Sequence, residues 1–306
     1  MNKGNLIVLC GISGSGKSSY AHEKWQENPL KTIVCNRDKI RELLYGFTEQ
    51  TVSNYYSRPD IIKLEKQVTH YEDTLIYEAL QQDKIVIVDA THLSKAYLQR
   101  FEFFNVPIEY KYFDITLGGA IGRDANRNRT VGDKIISKQY NQYLELQRQG
   151  VPLKYEPVKF VNDSRKCSVF VFDIDNTIAH MKDRTAYDWK RVGEDILDDK
   201  VAELYHSLYA AYDFNYNNII FCSGRDEICR EETLDWLKRH LGRNNDYDLR
   251  MRPQGDNRAD WIVKEELWRK IAKDYYIEAL VDDRNQVVRR ARSLGLKVFQ
   301  VEYGNF

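Results

Sequence analysis

The sequence predicts an α/β protein built from two doubly wound parallel-sheet domains. Short apolar runs alternate with longer amphipathic segments along the chain, a pattern typical of parallel strands covered by helices. The chain has 306 residues, which is about twice the length of a typical domain. The pattern loosens over residues 150–164, where two prolines occur without periodicity. We therefore predict a first domain over residues 1–152, a linker over 153–165 and a second domain over 166–306.

Four apolar runs in the first half predict strands, because each is followed by polar or helix-forming sequence. They cover residues 6–10, 32–35, 85–89 and 108–113, and residues 61–82 are predicted to form one long helix. The second half predicts strands at 169–172, 218–222, 278–281 and 297–301, with helices at 198–212, 226–241, 259–272 and 285–294. Ligands of such sheets bind at the carboxyl ends of the strands.

Charge and cysteine content limit the possible classes of function. The 46 basic and 46 acidic residues give a formal net charge of zero, which argues against coating duplex nucleic acid by charge alone. Two groups of arginines could still bind a charged strand end locally. They are Arg123, Arg127 and Arg129, and then Arg239, Arg243, Arg250, Arg252 and Arg258. The five cysteines show no C-x-x-C pairing, which favours free thiols in a reducing cytoplasm. No run approaches 18 apolar residues, so we expect a cytoplasmic protein without a membrane segment.

Residues 11–18 match the phosphate-loop pattern G-x-x-x-x-G-K-[ST] between a predicted strand and a predicted helix. Such glycines let successive backbone N–H groups converge on phosphate oxygens. Lys17 is expected to reach the β and γ phosphates of ATP, and the Ser18 hydroxyl to complete a Mg²⁺ shell. The predicted ATP-binding residues of the loop are Gly11, Gly14, Ser15, Gly16, Lys17 and Ser18.

The ends of the other strands supply candidates for the phosphate acceptor and the lid. Asp38 follows the second strand as a candidate general base, and Arg41 lies one helical turn further on. A helix N-cap would explain Asp38 equally well. Asp89 ends the third apolar run, an arrangement that resembles the Walker B carboxylate, so Asp89 is expected to steady Mg²⁺. Arg123 and Arg127 are four residues apart, as expected of lid arginines on one helical face, although a solvated basic face would give the same spacing.

The second half carries the motif D-x-D-x-T at the end of a buried strand. Asp173 and Asp175 alternate at i and i+2, so both carboxylates are expected to converge on one metal ion and one phosphorus, with Thr177 beside them. Ser223, Gly224 and Arg225 follow a second strand and offer a hydroxyl and backbone N–H groups to a phosphate.

Two further elements complete this set in the order that a haloacid-dehalogenase-type phosphatase requires. Lys264 lies on a predicted helix, and Asp282 and Asp283 follow a strand as metal ligands, although a helix N-cap would also explain either aspartate. Asp173 is the expected nucleophile, forming an aspartyl phosphate, and Asp175 the acid and base. Mg²⁺ and Lys264 offset the repulsion between the two anions.

The order of these motifs resembles the polynucleotide kinase 3′-phosphatases of T-even-type bacteriophages over essentially the whole chain. The matching segments are residues 14–18, 36–38, 173–177, 223–225, 263–266, 282–284, 300–301 and 304–306. The resemblance implies transfer of the ATP γ phosphate to a 5′-hydroxyl of DNA or RNA and removal of a 3′-phosphate or 2′,3′-cyclic phosphate. It further implies that Arg41 contacts the acceptor phosphate, that Arg127 is the lid arginine, and that Arg225 acts in the phosphatase.

The same resemblance implies a homotetramer, a polynucleotide ligase as functional partner, and a phage-infected bacterial cell as the setting. Two positions depart from the family. Asp89-Ala90-Thr91-His92 stands where the family has Asp-Thr-Asn, and Asn128 stands where it has a glycine, which leaves Arg129 as a competing contact.

Two other hypotheses remain open at this point: a bifunctional kinase and phosphatase of small molecules, and an end-sensing adaptor with degenerate sites. No K-x-D-G motif of a ligase occurs. The sequence does not distinguish DNA from RNA.

Overall fold

A computed structural model describes residues 4–46, 52–126, 130–150, 153–211, 218–242 and 246–304, with residues 52 and 53 described only by their backbone. The chain divides into two compact units, Met1–Val158 and Lys159–Phe306. Each unit contains a five-stranded, mostly parallel sheet with helices between its strands. The prediction of two α/β sheets is therefore confirmed.

The first unit follows the predicted alternation, with each predicted strand and the long helix placed within one residue at either end. Its strands are β1 (Asn5–Cys10), β2 (Thr32–Asn36), β3 (Ile85–Asp89), β4 (Ile108–Tyr112) and β5 (Lys154–Tyr155). Its helices are α1 (Lys17–Glu27), α2 (Arg37–Tyr45), α3 (Val52–Tyr56), α4 (Ile61–Gln81), α5 (Lys95–Gln99), α6 (Leu117–Ala125) and α7 (Asp133–Arg148), with a 3₁₀ helix at Arg100–Phe104. The strand order is β2-β3-β1-β4-β5.

The central strand β1 is apolar throughout because both faces of the sheet are covered. Leu6 and Val8 face one core cluster, which also contains residues of α4. Leu9 faces the other way and packs with Ala21 of α1 and with Ile87 of β3. The alternation of side chains along β1 therefore joins helices on both faces to one sheet.

Parallel pairing aligns the carboxyl ends of three strands in this unit. Leu9 of β1 and Asn36 of β2 are both register partners of Asp89 of β3. The loop after β1, the start of α2 and the end of β3 consequently meet at one edge of the sheet.

The second unit has an all-parallel main sheet of order β10-β9-β6-β11-β12. Its strands are β6 (Ser168–Phe172), β9 (Ile219–Asp226), β10 (Asp248–Arg252), β11 (Tyr276–Arg284) and β12 (Val298–Gly304), and β7 (Ala179–His180) pairs with β8 (Ile196–Leu197) in a small separate sheet. The helices are α8 (Asp199–Ala211), α9 (Arg230–Leu241), α10 (Asp260–Asp274) and α11 (Asn285–Ser293), with 3₁₀ helices at Trp189–Glu194 and Glu227–Cys229.

Three strands of this sheet extend beyond their predicted ends, and one of them, β12, continues to Gly304 rather than ending at residue 301. β9 continues to Asp226 and β11 to Arg284, so the serine-glycine-arginine and double-aspartate motifs lie inside strands rather than after them. The pairing shifts register near both motifs. Strand β10, with Arg250 and Arg252, was not predicted, and its pairing with β9 accounts for the extension of that strand.

The segment predicted as a linker, residues 153–165, contacts the first unit near its beginning and the second unit near its end. Tyr155 of β5 pairs with Ile108 of β4, and Asn162 exchanges hydrogen bonds with the backbone of Ile277 at 2.8 and 2.9 Å. Among the described residues, no helix has both the length and the apolar character needed to cross a bilayer.

Candidate active sites

The loop between β1 and α1 has the geometry of a phosphate-binding loop. Gly14 and Gly16 have φ values of 83° and 99°, in the left-handed region that favours glycine. A Cβ on Gly14 would also lie 2.7 Å from the carbonyl oxygen of Ala120. Lys17 Nζ donates to the carbonyl oxygen of Ile12 at 2.8 Å and lies 3.4 Å from Ser15 Oγ, so the lysine folds back over the loop.

Asp89 lies directly beside this loop. Its Oδ2 atom accepts hydrogen bonds from Ser18 Oγ and from Asn36 Nδ2, both at 2.8 Å. The carboxylate is 5% exposed and is therefore fixed rather than solvated. A hydroxyl and a carboxylate at this position offer the oxygen ligands that Mg²⁺ prefers.

Asp38 and Arg41 lie together at the start of α2. The N-cap of this helix is Asn36, whose Oδ1 accepts from the backbone N–H of Lys39. Asp38 is therefore not the cap; it is half-exposed and accepts from Arg41 Nη1 at 2.7 Å. This leaves the Asp38 carboxylate accessible to an acceptor hydroxyl.

Glu65 of α4 holds Arg41 in place, although no sequence motif points to this glutamate. Arg41 Nε and Nη2 donate to the two oxygens of Glu65, each at 2.8 Å. Burial opposes ionisation of Glu65, but the hydrogen bonds and the charge of Arg41 outweigh burial and lower the pKa of Glu65 to about 2. Arg37 is anchored nearby through the buried Glu72 at 2.6 Å.

Of the two predicted lid arginines, the described residues include one. Arg123 lies on α6 and its Nη1 is 3.3 Å from the carbonyl oxygen of Gly14, which places it over the phosphate loop. Helix α6 ends at Ala125. Arg127 and the competing Arg129 lie outside the described residues, so their roles stay predictions.

His92 belongs to the segment that departs from the family pattern, and it is buried against the end of β1. Its Nδ1 lies 2.6 Å from the carbonyl oxygen of Leu9, and its ring stacks on Tyr97. Burial lowers the pKa of His92 to about 4, so the imidazole is neutral near pH 7.

In the second unit Lys264 lies at the centre of a buried carboxylate cluster. Its Nζ is 2.8 Å from Asp173 Oδ1, 2.8 Å from Asp282 Oδ2 and 3.5 Å from Asp260 Oδ2. Burial raises the pKa of Asp173 well above its usual range, although the charge of Lys264 opposes that rise. Asp173 continues the line of β6, since its N–H donates to the carbonyl oxygen of Val281.

Three carboxylates of this cluster form a candidate metal site. One oxygen from each of Asp173, Asp282 and Asp283 lies within 4.8 Å of the others. Burial, and then the charge of the neighbouring Asp282, raise the pKa of Asp283 to about 6. A donor set made only of carboxylates fits a hard divalent cation such as Mg²⁺.

Asp175 is held by arginines instead. Arg225 Nε and Nη2 donate to its two oxygens, each at 2.9 Å, and Arg184 Nη2 donates to Oδ1 at 2.9 Å. The carboxylate of Asp175, which was predicted as a metal ligand, therefore lies outside the metal group. Burial opposes its ionisation, but Arg225 and then Arg184 lower the pKa of Asp175 below its usual range. Asp195, whose side chain is fully buried, accepts hydrogen bonds from both arginines.

The residues predicted to bind substrate are largely enclosed. Thr177 Oγ1 bridges Asp173 Oδ2 at 3.4 Å and Asp283 Oδ1 at 3.3 Å, and Ser223 Oγ accepts from the N–H of Arg225. Thr177, Ser223 and Arg225 have no exposed surface. Thr177 and Arg225 contact carboxylates of the site directly, whereas Ser223 contacts the backbone of Arg225. A role of these three residues in binding substrate stays a prediction.

Gly224 is required by close packing against α10. A Cβ at this position would lie 2.2 Å from Asp260 Oδ1. That carboxylate is held by Arg252, whose Nη2 lies 3.0 Å away and whose Nε donates to the carbonyl oxygen of Gly224.

Arg184, Asp195 and Asp260 are candidate site residues that sequence reasoning missed. Asp260 lies one helical turn before Lys264, and this spacing alone could have suggested it. Arg184 and Asp195 lie in no recognisable motif, and only folding brings them to Asp175.

Comparison with known proteins agrees with this geometry. Residues 167–306 match the family model of the polynucleotide kinase PNKP phosphatase domain, and residues 6–148 match that of an AAA domain. The chain is 29% identical to the "putative bifunctional polynucleotide kinase/RNA ligase" of Autographa californica nuclear polyhedrosis virus, over 97% of this chain and 42% of that protein. The chain thus spans less than half the length of this curated relative.

Two solved structures are also similar. A chain in the structure of the Pnkp1/Rnl/Hen1 RNA repair complex is 26% identical, with a TM-score of 0.46 over 100% of this chain and 98% of that one. A gluconokinase from Sinorhizobium meliloti 1021 is 18% identical, with a TM-score of 0.30 over 46% of this chain and 75% of its own. The two family matches, over residues 6–148 and 167–306, indicate a P-loop domain followed by a haloacid-dehalogenase-like phosphatase domain.

Proposed function

We propose that this chain is a bifunctional enzyme that heals broken nucleic-acid ends. Its first unit transfers the γ phosphate of ATP to a 5′-hydroxyl of DNA or RNA, and its second removes a 3′-phosphate or 2′,3′-cyclic phosphate. The supporting observation is that one chain holds both a phosphate loop with an exposed carboxylate nearby and a buried Asp173–Lys264–Asp282 cluster. The match of residues 167–306 to a polynucleotide kinase phosphatase domain supports a strand end as the substrate.

In the kinase unit, backbone N–H groups of the loop from Gly11 to Gly16 bind the phosphates, and Lys17 neutralises the β and γ oxygens. Ser18 and Asp89 would hold Mg²⁺, and the cation would offset the negative charge of the phosphates. Asp38 accepts the proton of the 5′-hydroxyl. The hydroxyl oxygen bonds to the γ phosphorus as the bond between that phosphorus and ADP breaks.

Three arginines complete the proposed kinase site. Arg41 binds the phosphate that follows the 5′ nucleotide of the acceptor. Arg123 and Arg127 stabilise the charge that develops on the transferred group.

In the phosphatase unit, Asp173 attacks phosphorus and the bond to the 3′ oxygen breaks, giving an aspartyl phosphate. Asp175 donates a proton to the leaving oxygen and then takes one from the water that releases inorganic phosphate. Its arginine partners favour the ionised form, which suits the second step. Bound phosphate brings negative charge that raises the Asp175 pKa for the first step.

Asp173, Asp282 and Asp283 would hold Mg²⁺ in this unit, and the cation would reduce repulsion between nucleophile and phosphate. Lys264 supplies a fixed positive charge to Asp173 and Asp282. Thr177, Ser223, Gly224 and Arg225 shape the phosphate pocket through the contacts given above.

We further propose that the healed ends pass to a polynucleotide ligase, in keeping with the name of the viral relative. A homo-oligomer, a homotetramer by the phage resemblance, acting in the cytoplasm of an infected cell is part of the same proposal. Residues 153–165 are proposed to mark the boundary between the kinase domain (1–152) and the phosphatase domain (166–306).

One incubation tests both activities. The protein is given Mg²⁺, γ-labelled ATP and an oligonucleotide with a 5′-hydroxyl and a 3′-phosphate, and the products are read by mass and label. We expect a labelled 5′-phosphate and loss of the 3′-phosphate. Lys17→Ala should abolish only the first change and Asp173→Asn only the second. Unchanged ends with ATP still bound would reject the proposal in favour of a small-molecule kinase and phosphatase.

A further inference from the structure

Three tyrosines lie together beside the carboxylate proposed as the kinase base. The ring centroids of Tyr45 and Tyr55 are 5.9 Å apart, and those of Tyr55 and Tyr56 are 5.2 Å apart with planes at 85°. Tyr55 is 5% exposed, whereas Tyr56 is 51% exposed. We call these three residues the tyrosine cluster. Its buried central ring holds the exposed ring edge-on.

Glu65 and Arg41 connect the tyrosine cluster to Asp38. The Tyr55 hydroxyl donates to Glu65 Oε1 at 2.8 Å, the oxygen that also accepts from Arg41 Nε. Arg41 donates in turn to Asp38, and its guanidinium carbon lies 5.9 Å from the Tyr56 ring centroid. Tyr56 is thus linked to Arg41 both directly and through Tyr55 and Glu65, and Arg41 in turn contacts Asp38.

A half-exposed aromatic ring beside a fixed guanidinium suits a flat aromatic ligand. Every nucleobase has a π face that stacks on tyrosine, whatever its sequence, and an adjacent arginine adds a cation–π contribution. A 5′-hydroxyl that reaches Asp38 brings the base of its own nucleotide close to the same side chains.

We propose that Tyr56 stacks on the nucleobase of the nucleotide that carries the 5′-hydroxyl. This inference rests on the proposed kinase function and adds a binding contact to it. Tyr56 contributes to affinity for the acceptor and takes no part in the transfer of the phosphate. The contact is independent of base identity, so it favours a strand end over a non-aromatic alcohol such as a sugar.

The test compares two acceptors with a free 5′-hydroxyl. One is an ordinary oligonucleotide, and the other is the same strand with an abasic first residue. The proteins are the wild type, Tyr56→Ala, Tyr56→Phe and the control Tyr71→Ala, which removes another exposed tyrosine of the first unit, on α4. For each pair of protein and acceptor, phosphorylation rates give kcat and the KM for the acceptor, and the KM for ATP is measured alongside.

We expect Tyr56→Ala to raise KM for the ordinary oligonucleotide by roughly 5- to 150-fold, the range for loss of one base–aromatic stack. The same change should leave KM for the abasic strand unaltered, since no base remains to stack. The wild type should lose affinity for the abasic strand by a similar factor, a result that needs no variant. Tyr56→Phe and Tyr71→Ala should stay within about twofold of the wild type on both strands, because the stacking ring is kept in each.

Two results would overturn the inference alone: Tyr56→Ala raising KM equally for both strands, or no preference of the wild type for the strand with a base. Either would show that the exposed ring contributes only to local structure. A wild-type protein that binds ATP but phosphorylates neither strand would overturn the proposed function, and the stacking contact with it.

Discussion

Replacing Lys264 by methionine tests how strongly the second unit depends on one buried cation. The lysine side chain is 2% exposed, and its Nζ lies 2.8 Å from a carboxylate oxygen of both Asp173 and Asp282. Methionine keeps an apolar stem of similar length but leaves these carboxylates without that charge. Removing one partner of a buried ion pair costs about 3–5 kcal/mol, so the free energy of unfolding should fall by this amount near neutral pH.

The loss should depend on pH in a defined direction. Burial already raises the pKa of Asp173 and Asp282, and removal of Lys264 removes the charge that opposes this rise. A carboxyl group whose pKa is higher in the folded chain than in the unfolded chain favours folding at low pH and loses that contribution as pH rises. The variant should therefore approach wild-type stability near pH 4 and differ most at pH 8.

Tryptophan fluorescence during urea unfolding measures this effect. Four of the five tryptophans, Trp189, Trp236, Trp261 and Trp268, belong to the second unit, so the signal reports mainly on its unfolding. The control Lys270→Met changes an exposed lysine of the same helix. Equal wild-type and Lys264→Met midpoints at pH 8, with equal slopes and no divalent cation, would refute the reasoning.

Three further substitutions test other contacts. Asp38→Asn should lower kinase kcat by about 100-fold or more while leaving the ATP Kd nearly unchanged. Phosphorylation rates give kcat and calorimetry gives the Kd. A large loss of ATP binding would place Asp38 on the donor side. Asp195→Asn should lower 3′-phosphatase kcat at least about tenfold, because it disturbs the arginines that hold Asp175. The rate of 5′ phosphorylation by the same preparation is the control. An unchanged phosphatase rate would show that Asp195 does not position these arginines for catalysis. Glu65→Gln should destabilise the first unit by about 3 kcal/mol at pH 7, because the wild-type pKa is lowered to about 2. This contribution is complete above pH ~4.5 and is lost as pH falls towards 2. Circular dichroism during urea unfolding should therefore show that the free energies of unfolding of wild type and Glu65→Gln converge below pH 4.

Contiguous motifs could be predicted from the sequence, because neighbouring residues alone define their geometry. The phosphate loop needs glycines at fixed positions next to Lys17, and Asp173 and Asp175 need only the end of a strand. Parallel pairing places Asp89 beside Ser18, and the role of Asp89 at a metal ion stays a prediction.

Contacts between distant segments could not be predicted in the same way. Arg184 reaches Asp175 from the loop after β7, and Glu65 reaches Arg41 from a separate helix. The strand ends were also placed too early, since backbone pairing extends beyond the apolar run that identifies a strand. β9 continues past Cys222 and β11 past Val281 for this reason.

The close approach of Gly224 to Asp260 links two distant positions during evolution. A larger residue at 224 would displace the Asp260 carboxylate from Arg252 and from the surroundings of Lys264. A shorter residue at 260 would make room, but would leave those two cations with one fewer counter-charge. Neither position can therefore drift alone, and a descendant that accepts a side chain at 224 should also have changed the charge balance of α10.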